Sequence, residues 1–243
     1  KPWKGWLYQY SGALGPIPEL AKNANAVGMM IIAPEKDGVV RRMPLVIAVG
    51  DEVYPSISLE ILRMVAGDIS YQMKTGIAGV EAVRIPKYKI IKTDAHGNIW
   101  LDFKWKTPTY ALHEELPDLK GKIVILSMTA TGLDNPVSTP RGVIHSHNLI
   151  GSALATMMTG RNITRPYWTD LAELGVSFFF GLFLMVIVLL LPWYFGAAAM
   201  PATVVGIFYG SSHLFTKYDL LVDWSYPVFT VFIAWAIAAF LRF

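Results

Sequence analysis

The last third of the chain consists almost entirely of apolar positions. No Asp, Glu, Lys or Arg occurs in 174–216, and a second apolar run covers 224–241. As a single helix the first run would measure about 65 Å, roughly twice the hydrocarbon thickness of a bilayer. We therefore expect it to cross a membrane twice, with a break at Pro192, because proline removes a backbone donor. The pattern predicts three transmembrane helices, at about 171–191, 196–215 and 224–241.

Shorter apolar patterns in the first 166 residues alternate between the spacing of helices and that of strands. Residues 57–65 place four apolar side chains on one face of a helix that Gly67 would end. Residues 99–106 alternate between apolar and polar, as in a strand with one buried face. Further helices are expected at 18–24 and 148–158, and further strands at 27–33, 39–49 and 123–128. This alternation predicts a layered α/β domain.

The charged residues divide the chain into two domains. Beyond Asp170 they are limited to Glu173, Lys217, Asp219, Asp223 and Arg242. We therefore expect a polar domain at 1–166 and an all-α unit of three transmembrane helices, embedded in a lipid bilayer, at 167–243. The net charge of +3 is small and the basic residues are scattered, so no nucleic-acid partner is expected.

Common catalytic and metal-binding signatures do not occur in the sequence. The absence of cysteine excludes disulfides, thiolate metal sites and cysteine nucleophiles. The patterns G-x-S-x-G, H-E-x-x-H, G-x-x-x-x-G-K-[ST] and G-x-G-x-x-G are absent as well. His145 and His147 could share a metal only on a strand, where they would face the same side. We predict no catalytic residue, no metal site and no cofactor in this part of the protein.

The loop at 129–135 is the most site-like segment of the polar domain. It follows the apolar run 123–128, and ligands of open α/β sheets lie beyond the carboxyl ends of the strands. If a small ligand binds, we expect it beside Thr129, Thr131, Asp134 and Asn135. The alternative is that these polar side chains satisfy backbone groups of their own loop.

Arg41 and Arg42 are adjacent on the predicted strand 39–49. Side chains alternate between the two faces of a strand, so the two guanidinium groups would point to opposite sides. We interpret them as ion-pair partners for carboxylates rather than as one anion site.

Five segments in a fixed order resemble the type-two CHASE domain, the extracellular sensory module found ahead of bacterial cyclases and protein kinases. They are DGVVRRMPL at 37–45, YPSISLE at 54–60, GKIVIL at 121–126, TATGL at 129–133 with Thr139-Pro140, and GVIH at 142–145 with Asn148. Arg165-Pro166, just before the first apolar run, also fits. The resemblance extends over 12–166.

This resemblance implies a multi-pass receptor in a bacterial inner (plasma) membrane, with its sensor domain extracytoplasmic. The expected output is a class III adenylate or guanylate cyclase domain after Phe243, which would need Mg²⁺ or Mn²⁺ and would act as a homodimer. A receptor protein kinase and a structural subunit of a larger membrane assembly are the alternatives. The resemblance further implies missing N-terminal and C-terminal parts of the same protein, an extracytoplasmic ligand or protein partner, and a sensor fold that is incomplete at its N-terminal side.

Overall fold

The computed structural model describes residues 3–130, 132–161 and 163–242. The chain forms two compact units, Lys1–Asn162 and Ile163–Phe243. The first unit is a mixture of helices and short strands, in agreement with the predicted α/β class. Its elements are β1 (Gln9–Tyr10), α1 (Pro18–Asn23), β2 (Arg42–Pro44), β3 (Val46–Val49), β4 (Glu52–Pro55), α2 (Ile57–Val65), β5 (Gln72–Gly76), β6 (Gly79–Arg84), β7 (Ile90–Lys92), β8 (Asn98–Trp100), β9 (Val137–Thr139), β10 (Gly142–Ile144) and α3 (Ser146–Thr159).

The strands of the first unit form several small sheets. Strand β3 lies between β1, to which it is parallel, and β4, to which it is antiparallel. Strands β2 and β8 form an antiparallel pair, as do β9 and β10, and β5, β6 and β7 form an antiparallel meander. The residues between β7 and β8 form a turn, which is closed by the Gly97 N–H donating to the Asp94 carbonyl at 3.0 Å.

Helices α2 and α3 pack into a common core with these strands. The Ser56 hydroxyl caps α2 by accepting from the Leu59 N–H at 3.3 Å, and Gly67 follows the helix with a φ of 63°. Gly160, with a φ of 76°, ends α3 in the same left-handed conformation. The completely buried side chains of this core include Met43, Leu45, Leu59, Leu62, Val83, Ile85, Leu149 and Met157. Burial of each contributes about 1.5–3 kcal/mol.

Four predicted strands differ from the structure. The predicted strand 39–49 is interrupted at Leu45 and forms β2 and β3, which belong to different sheets. Segment 27–33 makes only one bridge, between Met29 and Ser56, and the predicted strand 99–106 is reduced to the short β8. The prediction of a buried strand at 123–128 is wrong. That segment is not part of any sheet, and Val124, Leu126 and Met128 are exposed. An apolar run indicates a tendency to form a strand, but the strand forms only where another strand lies beside it.

The second unit contains α4 (Thr169–Leu190), α5 (Trp193–Tyr218) and α6 (Ser225–Arg242). Helices therefore occupy all three predicted apolar segments. Within the described residues, α4 and α6 are long and apolar enough to cross a membrane, with mean hydropathies of 2.5 and 1.5. Helix α5 is the longest, with 26 residues, but small and polar residues make it less apolar. The turn between α4 and α5 lies at Pro192, where the break was predicted.

The three helices contact one another through a small apolar centre and several backbone contacts. Leu184 of α4 and Val231 of α6 are completely buried. The indole Nε1 of Trp235 on α6 donates to the Gly196 carbonyl of α5 at 3.1 Å. The guanidinium of Arg242 donates to the carbonyls of Val188 and Leu191, where α4 ends. The last turn of α6 is therefore tied to the α4–α5 turn.

Candidate functional site

The residues of the loop predicted to bind a ligand lie in different environments in the structure. Thr129 and Asn135 are exposed, and neither makes a side-chain hydrogen bond with any residue in the described part of the chain. Thr131 lies outside the described residues. Asp134 instead directs its carboxylate at the start of α3, where it is almost completely buried. Ligand binding by these four residues stays a prediction, and Asp134 has a structural role whether or not a ligand binds.

Asp134 anchors the loop to the N-terminus of α3. Its Oδ2 lies 2.7 Å from Nδ1 of His145, the N-cap residue, and its Oδ1 accepts from the hydroxyl of Ser146, the first helical residue. The Ser146 hydrogen bond, followed by that of His145, lowers the pKa of Asp134 below its ordinary value. A carboxylate at a helix N-terminus also interacts favourably with the helix dipole.

His147 completes what we call the Asp134 cluster, which consists of Asp134, His145, Ser146 and His147. The rings of His145 and His147 stack, with centroids 5.7 Å apart and planes inclined by 12°. Both ring nitrogens of His147 are buried, and neither has a hydrogen-bond partner among the described residues. Burial, followed by the charge of His145, lowers the pKa of His147. Protonation of His147 would therefore place a charge among buried atoms, with no acceptor for its N–H groups in the described part of the chain.

Sequence reasoning missed this stacking because it treated the two histidines as members of one regular element. His145 is extended, with φ −76° and ψ 154°, and α3 begins after it. Its side chain therefore does not follow the helical spacing that would separate it from His147. No group of three or more His, Asp or Glu side chains in the described part of the chain is arranged to hold a metal ion.

A second polar site surrounds Arg42 on β2. Its Nε donates to Glu35 Oε1 at 2.9 Å, and its Nη1 donates to Asp94 Oδ2 at 2.9 Å. The guanidinium lies 5.0 Å from the centre of the Trp100 ring, at a distance typical of a cation–π contact. Arg42 is therefore held on three sides.

Arg41 pairs with carboxylates of the preceding turn. Its Nη1 lies 2.9 Å from Glu35 Oε2, and its Nη2 lies 2.7 Å from Asp37 Oδ2. The hydrogen bond from Arg41, followed by that from the Val39 N–H, lowers the pKa of Asp37 to about 2. These contacts confirm that the two arginines are ion-pair partners. The expectation that they point to opposite sides is wrong, because both guanidinium groups contact the Glu35 carboxylate. Arg41 precedes β2, so strict strand alternation does not apply to it.

An open cleft of about 440 Å³ adjoins these ion pairs, and we call it the Arg42 cleft. It is lined by Tyr8, Ala33, Pro34, Glu35, Lys36, Asp37, Arg42 and Asn98. Asn98 is 2% exposed, and its Nδ2 donates to Asp94 Oδ2 at 2.9 Å. Its Oδ1 has no hydrogen-bond partner within the described residues. The cleft was not indicated by the sequence, because the residues that line it come from segments that are far apart along the chain.

A charged cluster lies at one end of the helical unit. Arg165 Nη2 lies 2.9 Å from Glu173 Oε2 and 2.7 Å from Asp170 Oδ1. The Asp223 N–H donates to the other Glu173 oxygen at 2.8 Å. The Glu173 side chain is only 6% exposed, so these bonds satisfy a buried carboxylate. They join the start of α4 to the turn between α5 and α6.

A family model described as the CHASE2 domain matches residues 8–190. The chain belongs to the CHASE2 family. CHASE2 is an extracellular sensory domain of signalling receptors, so the resemblance found in the five sequence segments is confirmed. The match includes the residues of the Arg42 cleft, the Asp134 cluster and all of α4. No curated protein and no solved structure matches the chain.

Proposed function

We propose that this CHASE2 chain is the sensory and membrane-spanning part of a bacterial inner-membrane receptor. In this proposal it passes an extracytoplasmic signal through three transmembrane helices to a cytoplasmic adenylate or guanylate cyclase domain. The observation that carries the proposal is the extent of the family match, which runs from residue 8 through the end of α4 at 190. The region that matches the family therefore contains both the sensory domain and the apolar helix α4.

The surface of the helices supports their placement in a bilayer. In the most apolar 18-residue stretch of each helix, only 22% of the residues of α4 and 17% of those of α6 are buried. The core helix of a water-soluble protein would be mostly buried. Phe178, Phe183 and Leu190 of α4 are instead more than half exposed. A large contiguous apolar surface of this kind is favourable in lipid and unfavourable in water.

Helix α5 is proposed as the middle span. Its 26 residues would extend about 39 Å, which exceeds the hydrocarbon thickness. Lys217, its only charged residue, lies in the last turn, where the side chain can reach the headgroups. The contact between Trp235 and Gly196 gives α5 a partner within the membrane.

The proposed topology places the sensor and the α5–α6 turn outside the cytoplasm, and the α4–α5 turn and Arg242 inside. Charge counting does not decide this orientation, because Arg161, Arg165 and Lys217 fall outside. Family membership supports the outside position of the sensor, and large domains can cross regardless of local charge. The absence of cysteine allows a direct test by labelling single cysteines with a membrane-impermeant maleimide.

Single cysteines at three positions would distinguish the possible topologies. Ile77 is fully exposed, Lys217 is exposed at the end of α5, and Trp193 is exposed at the start of α5. Ile77→Cys and Lys217→Cys should be labelled in intact cells, and Trp193→Cys only after permeabilisation. Labelling of Trp193→Cys and Lys217→Cys from the same side would show that α5 does not span, and protection of Ile77→Cys would contradict an outside sensor.

The proposed output is a class III cyclase that uses Mg²⁺ or Mn²⁺ in its own domain and works as a homodimer. The full-length protein should produce cyclic AMP or GMP in a bacterium that lacks its own cyclase, whereas a version ending at Phe243 should not. A receptor protein kinase is the second candidate, because CHASE2 domains belong to signalling receptors in general. A well-inserted full-length protein that makes no cyclic nucleotide would exclude the cyclase.

A structural subunit of a larger membrane assembly is the remaining alternative. The exposed apolar side chains of Val124, Leu126 and Met128 favour it, because such residues are common where a protein docks on a partner. The sequence that follows Phe243 in the gene distinguishes the alternatives. A cyclase or kinase domain supports the receptor, and a stop codon supports the assembly subunit.

A further inference from the structure

We propose that the Arg42 cleft binds the ligand of the sensor, and that this ligand is an uncharged polyhydroxylated molecule of about the size of a monosaccharide. The inference rests on the proposed sensory function and names the chemical class of the stimulus. It uses a site different from the loop 129–135.

The charges around the cleft balance one another, which favours an uncharged ligand. Arg41, Arg42 and Lys36 are matched by the carboxylates of Glu35, Asp37 and Asp94. All six carboxylate oxygens already accept hydrogen bonds from the protein. An anionic ligand that binds Arg42 would have to displace one of its ion pairs and leave a partly buried carboxylate without its partner.

Unused hydrogen-bonding groups at the cleft indicate hydroxyl groups on the ligand. Asn98 Oδ1 is a buried acceptor without a donor, and the contact of Nδ2 with Asp94 fixes the orientation of the amide. Arg42 Nη2 and the Tyr8 hydroxyl have no hydrogen-bond partner within the described residues. A buried acceptor without a donor costs free energy until a donor reaches it. A hydroxyl is a neutral group whose single oxygen both donates and accepts.

The size and remaining walls of the cleft suit a small ring. About 440 Å³ lies within the range of small-molecule sites. Tyr8, Ala33 and Pro34 supply apolar surface against which the C–H face of a sugar ring can pack. The combination of an apolar wall with a few polar groups is typical of sites that orient a small ligand.

The cleft is also connected to the C-terminal helix of the sensor unit by hydrogen bonds. Strand β2, which carries Arg42, pairs with β8, and the Leu101 N–H after β8 donates to the Arg41 carbonyl at 3.0 Å. The Asp102 N–H donates to the Thr156 hydroxyl of α3 at 2.9 Å. A ligand that changes the position of β2 therefore acts on a strand pair joined to α3, the helix that precedes α4 in the chain.

Binding can be measured on the purified full-length receptor by thermal unfolding in the presence of single compounds. The neutral probes are D-glucose, D-galactose, D-ribose, glycerol and myo-inositol, and the charged probes are L-glutamate, L-lysine, succinate and phosphate. At least one neutral probe at about 10 mM should raise the unfolding midpoint, because a ligand that binds the folded state stabilises it. The charged probes should leave the midpoint unchanged.

Arg41 provides a matched control for Arg42, because both contact Glu35 but only Arg42 lines the cleft. Arg42→Lys should weaken binding of the active probe by about tenfold or more, since it removes the planar donor, while Arg41→Lys retains binding. Tyr8→Phe keeps the aromatic ring and removes only the hydroxyl, so it should weaken binding by a smaller factor. That result would place the ligand in the Arg42 cleft without loss of the fold.

Three results would overturn the proposal: no shift with any neutral probe, a shift with charged probes alone, or unchanged affinity in both Arg42→Lys and Tyr8→Phe. The cyclase assay separates this failure from failure of the proposed function. A full-length protein that makes cyclic nucleotide but binds no neutral probe remains a receptor with a different stimulus.

Discussion

The rings of His145 and His147 lie nearly parallel at the start of α3, and within the described residues only His145 has a carboxylate partner. Asp134 lies 2.7 Å from the His145 ring, whereas the two buried nitrogens of His147 have no partner in the described part of the chain. Two adjacent rings of the same residue type therefore differ in their surroundings, because one has an acceptor for a ring N–H and the other is buried without one.

The burial of His147 predicts a pH dependence of stability. Because folding lowers the pKa of His147, the unfolded chain binds a proton more readily below the ordinary value of 6.5. Stability should therefore fall as the pH decreases through 6.5, by at most about 1.4 kcal/mol per pH unit from this one group. His147→Leu should flatten the dependence of the unfolding midpoint between about pH 7.5 and 5.5.

His113 provides the control for this measurement, because it lies exposed in a loop. His113→Gln should leave the pH dependence unchanged. An equal dependence in His147→Leu and the unsubstituted protein would show that His147 is not the responsible group.

Substitutions of Asp134 and Asn135 should separate structure from ligand binding. Asp134→Ala removes the acceptor for His145 and Ser146, so it should lower the unfolding midpoint by about 3–8 °C. Asn135→Ala and Thr129→Ala change exposed side chains and should leave the midpoint within about 1 °C. If the loop 129–135 binds a ligand, these two variants should nevertheless reduce the response to stimulus. An unchanged response in both would exclude that site.

The charged cluster at the end of the helical unit predicts strong interdependence of Arg165 and Glu173. Arg165→Ala leaves the buried Glu173 carboxylate without its cationic partner and should destabilise the protein in detergent by about 1–3 kcal/mol. Adding Glu173→Gln should recover part of that loss, because the amide oxygen can still accept from the Asp223 N–H. Lys217→Ala, at an exposed lysine, is the control and should have little effect. Additive losses in the double variant would refute the interaction.

Substitution of Gly38 tests whether a left-handed backbone conformation is needed for the turn beside the Arg42 cleft. Its φ is 77°, and a Cβ at this position would meet no other atom within 4 Å. Gly38→Ala should therefore cost about 1 kcal/mol from backbone strain alone. Gly12 also has open space around it but lacks a left-handed φ, so Gly12→Ala should be neutral. Equal unfolding midpoints for the two variants would contradict a role for the left-handed turn.

Local signals were sufficient to predict the helices of this protein. Gly67 and Gly160 mark the ends of α2 and α3, and Pro192 marks the break between α4 and α5, because each acts on the backbone of its own turn. The Arg42 cleft depends on contacts distant in sequence, such as Arg42 with Asp94, which no local pattern encodes. The segment 123–128 shows the same limit, because its apolar residues indicate a strand but not whether another strand lies beside it.

The attachment of Arg242 to the carbonyls of Val188 and Leu191 has a consequence for protein engineering. Because the end of α6 is bonded to the α4–α5 turn, α6 cannot slide or turn alone without breaking those bonds. A hybrid receptor that inherits only α6 from this protein would carry the arginine without the carbonyls it binds. In the proposed receptor, exchange of the output domain should therefore keep the whole bundle, with the junction after Arg242.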